Sequence, residues 1–173
     1  MTEEQPYTLV REYDGFEVRH YPDYVLVQVD VTGDFMRAGN VAFGPLVSYI
    51  SGNNVTSQKI AMTAPVIQET REDQSHTVSF VLPKGMDISQ VPLPRNSRVT
   101  TKHVPAHFAA AMKFGGGWNA DRFQNNGETL FKKAHLAGLV TDGNVYFARF
   151  DPPWKPWFLK RNEVLIAVQS PSA

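Results

Sequence analysis

The sequence predicts an α+β protein: a distorted, partly closed antiparallel β-barrel flanked by two helices. Three observations point to it. Residues 24–31 place Val25, Val27, Val29 and Val31 on one face of a strand. Directly after Gly33 the apolar period lengthens to that of a helix. The order strand, glycine turn, aromatic, helix then returns, with Trp118 after Gly117 matching Phe35 after Gly33 at an offset of 83 positions.

The elements follow in order. Phe16, Val18 and His20 share one face of a strand, F-E-V-R-H-Y, punctuated by Gly15 and Pro22. The strand Y-V-L-V-Q-V-D-V comes next. A helix then buries Phe35, Ala42, Leu46 and Tyr49/Ile50, with Asp34 as N-cap and Gly52 as stop. Pro45 falls inside it, and an interior proline costs about 3 kcal/mol, so a kink or a fresh first turn is expected there. Strands at 59–68 and 76–82 flank a polar connection, and 85–97 is a proline-containing surface loop. A strand at 107–114 leads through Gly115-Gly116-Gly117 into a helix at 119–137 that buries Phe123, Leu130 and Ala134 and ends at Gly138. Strands at 145–150 and 163–168 close the chain. One domain over 1–173 is expected, built from two pseudo-symmetric strand-helix-strand-strand halves at about 16–83 and 103–169.

Composition excludes several functions. Seventeen Lys and Arg balance seventeen Asp and Glu, so the basic field of a nucleic-acid binder is missing and no nucleic-acid partner is expected. With no cysteine there is no disulfide, thiolate metal site, thiol nucleophile or thioether-linked haem. Residues 1–5 carry neither the basic nor the apolar region of a signal peptide, and no apolar run approaches the ~18 residues of a span. A cytoplasmic protein without membrane insertion, monomeric or weakly dimeric, is the expectation.

Catalytic signatures are missing: no G-x-S-x-G, H-E-x-x-H, Walker loop or G-x-G-x-x-G, and no acid–base pair of carboxylates. The chain is therefore not expected to be an enzyme. Gly115–Gly117 reads as a flexible turn before it reads as a phosphate cradle. His76 and His135 are expected in solvent, and Glu163 is expected to pair with Arg161 or Lys160. His20 lies on the apolar Phe16/Val18 face, as either a metal ligand or a core-edge histidine bonded to backbone. The segment A-R-F-D-P-P-W-K-P-W-F-L-K-R-N-E combines proline rigidity, Trp154 and Trp157, and the cations Lys155, Lys160 and Arg161. It could hold a planar amphipathic ligand against Phe35 or Phe43, with its carboxylates on the cations, or it could simply plug the barrel end.

E-V-R-H-Y at 17–21, K-I-A-M-T-A-P-V at 59–66, F-V-L-P at 80–83, K-F-G-G at 113–116 and R-F-D-P-P-W-K-P-W with R-N-E-V at 149–164 are spread along nearly the whole chain. In combination they resemble the SOUL haem-binding protein family. The resemblance implies a barrel of two related halves and a b-type haem or other tetrapyrrole held non-covalently, for buffering, transport or sensing. It implies a groove between the first helix and the D-P-P loop, placing Val41, Leu46, Tyr49, Trp154, Trp157, Lys160 and Arg161 near the ligand. His20 matches the position proposed as axial haem ligand in some members, with Met62 a weaker alternative. Members that bind porphyrin without histidine carry basic residues along the first helix, where this chain has only Arg37. The family is also similar to gyrase-inhibitor-like small-molecule binders, so a non-haem apolar ligand is the alternative, and an enzyme acting on a tetrapyrrole a third.

Overall fold

Alternation and helical period become two packed units in the computed structural model, which describes residues 2–117, 119–152 and 155–171. The strands are β1 (Glu3–Glu4), β2 (Thr8–Tyr13), β3 (Phe16–Tyr21), β4 (Tyr24–Val31), β5 (Thr63–Ala64), β6 (Val66–Thr70), β7 (His76–Val81), β8 (Val99–Val104), β9 (His107–Gly115), β10 (Thr141–Arg149) and β11 (Arg161–Val168). The helices are α1 (Phe35–Ile50) and α2 (Ala120–Leu136).

The first unit holds the residues up to Gln5 and Asp23–Pro105. Its strands run antiparallel in the order β6-β7-β4-β8, and the short β1 pairs in parallel with β5. The four valines of β4 pack with Ala38, Ala42, Leu46, Tyr49 and Ile50 of α1 and with Val78 and Phe80 of β7. Burying a side chain the size of Val27 or Leu46, both without exposed surface, contributes about 1.5–3 kcal/mol. Asp34 caps α1 through Oδ1, which accepts from the Met36 N–H at 2.7 Å. The helix continues through Pro45 with no fresh start. The Val41 carbonyl that this proline cannot serve belongs to an exposed residue, where water can replace the missing donor.

The second unit holds Pro6–Pro22 and the chain from Ala106 onward. Its antiparallel order is β2-β3-β9-β11-β10, with α2 packed on β9, β10 and β11. Phe123 of α2 sits between Phe114 and Phe147, with centroids 4.8 and 5.2 Å away. Asn119 caps the helix and Gly138 follows its end at φ +79°, a left-handed position where glycine carries no Cβ penalty.

Both units therefore contain strand, helix, strand, strand in the predicted order, with the first strand between the last and a supplementary one. That supplement is β8 in the first unit and β3 in the second. Two expectations are corrected. The repeat begins at Tyr24, not near 16, because β3 pairs with β9 and joins the second unit. Within each unit the strands form an open run, not a closed barrel, since a helix laid on one face already buries it. No helix among the described residues is long and apolar enough to cross a membrane.

Candidate functional site

In antiparallel pairs, directly opposed residues share a face, so the registers sort the second unit's side chains. His20, Phe108, Ala110, Met112, Phe114, Val164 and Ile166 fall on the α2 face, and Glu17, Arg19, Tyr21, Ala109, Ala111, Glu163 and Leu165 on the other. On that second face lies a buried polar cluster. Arg19, 0% exposed, donates from Nη1 and Nη2 to the two carboxylate oxygens of Glu163 at 2.7 and 2.8 Å. Its Nε donates to Glu17 at 3.0 Å and Nη1 also to the Tyr21 hydroxyl at 2.9 Å. The Tyr7 ring lies 4.1 Å from the guanidinium carbon.

Arg19 reaches Glu163 across β9, where Ala109 and Ala111 present only methyl groups. Burial works against the charged guanidinium, but Glu163 and Tyr21 outweigh it and leave its pKa above the ordinary value. Burial also raises the Tyr21 phenol, against Arg19, which favours the phenolate. The cluster joins the E-V-R-H-Y and R-N-E-V segments through a charge-assisted, bidentate contact. Glu163 thus pairs with Arg19, not with Arg161 or Lys160, because strand alternation and the β9 methyls aim it inward.

The D-P-P loop is held by its own aspartate. Asp151 accepts from Lys155 Nζ at 2.6 Å and from the Arg161 N–H at 2.5 Å. Burial tends to raise the Asp151 carboxyl, yet those two donors and the nearby cations hold it below the usual carboxylate range. Arg161 stacks at 4.0 Å over Phe150. Trp157, Phe158 and Leu159 form a single 3-10 turn and stand 65%, 65% and 56% exposed. Trp154 lies outside the described residues, as does Trp118.

The other predicted site residues divide sharply. Val41 is exposed on α1, whereas Leu46 and Tyr49 belong to the core beneath that helix, and the Tyr49 hydroxyl donates to the Pro92 carbonyl at 2.6 Å. Those three lie in the first unit, and His20, Trp157, Lys160 and Arg161 in the second. His20 is half-buried, its ring edge-on to Phe108 at 4.9 Å. Opposite Phe108 it marks one end of β9, while Arg161, opposite Gly115, marks the other. Seven residues of strand, ~23 Å at about 3.3 Å each, separate them, and they project from opposite faces. The strand registers thus set His20 and Arg161 well apart on the second unit's sheet. Met62 is partly exposed in the first unit.

Sequence reasoning passed over Phe158 and Leu159, although a W-F-L run between basic residues is itself a signal. It also misplaced His76, which is buried and bridges the Thr70 hydroxyl and the Gly33 carbonyl, each at 3.0 Å. The Gly115–Gly117 turn is filled from within. Arg122 donates to the Gly117 carbonyl at 3.2 Å, and a Cβ on Gly116, at φ +103°, would collide with its guanidinium.

Half-buried and edge-on to Phe108, the His20 imidazole has the donor chemistry of an axial haem ligand. Each of the two units is a helix packed on an antiparallel sheet. The chain belongs to the SOUL heme-binding protein family, whose sequence pattern matches residues 2–167. It is 28% identical over 164 residues to Heme-binding protein 2 of Homo sapiens, covering 86% of this chain and 80% of that one. Among solved structures, the EcmrR C-terminal domain shares the fold at TM-score 0.70 and 11% identity, covering 90% of this chain and 98% of that one. A hydrolase from Listeria innocua matches at TM-score 0.60 and 12% identity, over 92% and 94% of the two chains. SAV2435, solved bound to tetraphenylphosphonium, matches at 0.52 and 9%, over 90% and 94%.

Proposed function

We propose that this protein binds haem or a related tetrapyrrole non-covalently, as a carrier, buffer or sensor and not as an enzyme. Family membership over 2–167 is the observation that carries the reading. His20 is the candidate axial ligand, and its half-buried position against Phe108 supports that role. When bound, the iron would supply the redox-sensitive centre. The protein would supply the imidazole and an apolar surround that limits water. Thioether attachment is excluded, because the chain has no cysteine.

Haemin titrated into the wild type and His20→Ala, followed at the Soret band in both oxidation states, tests the proposal. A saturable one-to-one band that shifts in His20→Ala is expected. Binding no better than non-specific adsorption overturns the function, and an unshifted, equally tight band overturns His20 as ligand. A second reading, a module for another flat apolar ligand, draws support from the fold shared with the tetraphenylphosphonium-bound protein. Native mass spectrometry of freshly purified protein would reveal such a compound by its mass.

A further inference from the structure

The Trp157–Arg161 segment calls for a role separate from His20, since β9 holds the two at opposite ends and on opposite faces. We propose that it docks the protein on an anionic lipid surface. Three consecutive large apolar side chains, Trp157, Phe158 and Leu159, stand more than half exposed in one turn. Leaving all three in water is unfavourable, and such a patch marks an interaction site. Cations bracket the turn. Between 151 and 161 the sequence has three basic residues, Lys155, Lys160 and Arg161, against the single carboxylate of Asp151, which Lys155 engages, in a chain whose overall charge is zero. That local excess complements a negatively charged surface.

The composition is that of an interfacial anchor: a tryptophan suited to the headgroup region, a phenylalanine and a leucine to enter the acyl boundary, and cations to meet phosphates. The turn is also ordered before it meets a partner. The Leu159 N–H donates to the Pro156 carbonyl at 2.9 Å and the Lys160 N–H to the Trp157 carbonyl at 3.3 Å, while Asp151 ties both ends of the segment. Trp157 is seated on the turn before α2, where a Cβ on Gly117 would come within 3.4 Å of the Trp157 Cβ. Little ordering entropy is therefore left to spend on docking.

Co-sedimentation of the haem-free full chain with phosphatidylcholine vesicles, with and without 30% phosphatidylglycerol, tests the inference. Stronger partitioning to the anionic vesicles, weakening as salt rises, is expected. The Phe158→Ser/Leu159→Ser variant should lose at least about tenfold in partitioning, and Lys160→Glu about fivefold or more from the lost attraction alone. All three side chains are at the surface or half-buried, so far-UV circular dichroism should match the wild type. As a check that does not depend on those variants, the emission lost in Trp157→Phe should be the component that blue-shifts when vesicles are added. Equal binding to neutral and anionic vesicles, no binding to either, or unchanged partitioning of the serine variant overturns the proposal. A haemin affinity unaffected by Phe158→Ser/Leu159→Ser would keep the two roles separate, whereas its loss would assign the loop to the ligand and overturn the lipid reading.

Discussion

Glu163→Gln is the sharpest probe of how the second unit is held. The substitution preserves volume and one acceptor but removes the negative charge from the partner that meets Arg19 with two oxygens, at 2.7 and 2.8 Å. What stays beside the fully buried guanidinium is the Glu17 carboxylate, itself partly exposed, and the Tyr21 hydroxyl. Removing one partner of a buried pair costs about 3–5 kcal/mol, because the remaining charge stays desolvated. Glutamine, which still accepts one bond, belongs near 3 kcal/mol and Glu163→Ala near 5, each ~, on the same reasoning. In a chain of this length 1 kcal/mol moves the Tm by roughly 2–4 °C, so Glu163→Gln should melt roughly 6–12 °C lower. Urea unfolding followed by circular dichroism and fluorescence measures the loss directly. The double variant Arg19→Met/Glu163→Leu should recover much of it, since well-packed apolar substitutes often match a buried pair. A Glu163→Gln loss below about 1 kcal/mol would refute the reasoning, because it would mean that Arg19 finds solvent or another anion.

Three further outcomes are expected. Phe123→Ala, which empties the space between Phe114 and Phe147, should cost about 3–5 kcal/mol in urea unfolding, and a loss under 1.5 would mean the aromatic layer collapses to fill it. Asn54→Ala removes a buried amide that donates to the Tyr49 and Gln58 carbonyls at 3.0 and 2.8 Å and accepts from the Gln58 N–H at 3.0 Å. With those groups left unpaired, thermal melts should register a loss of about 2–3 kcal/mol, and an unchanged melt would count against the bonds. Tyr21 and Tyr24, the latter pushed up to about 12, are both raised chiefly by burial. The unfolded chain then releases their protons first, so stability is intact below pH ~10 and falls as pH rises above it. Tyr21→Phe should flatten that alkaline decline in denaturant titrations, and an identical slope would contradict the assignment.

What could be read in advance follows from where each signal resides. β4 and both helices bury one continuous stripe, so their period is written in consecutive residues and the Asp34 and Asn119 caps mark where two of them begin. β2 was invisible for the opposite reason: T-L-V-R-E-Y is an end strand exposed along nearly its whole length and carries no apolar alternation. β8, V-T-T-K-H-V, is the corresponding end of the first unit's run and just as polar. The Arg19–Glu163 pair could not be found by spacing, since 144 positions separate its members and a third strand lies between them. Its one local trace is Ala109-Ala110-Ala111, a run of poor strand formers in the buried middle of β9. Two of those methyls are the room that a buried arginine needs to cross to its partner. The same logic explains the divided ligand set: motif resemblance lists residues without saying which side of a strand they leave from. Odd and even positions on β9 and β11 put Arg161 and His20 on opposite faces. A family pattern therefore marks segments along this chain, and strand parity sorts their side chains between the two faces of the sheet.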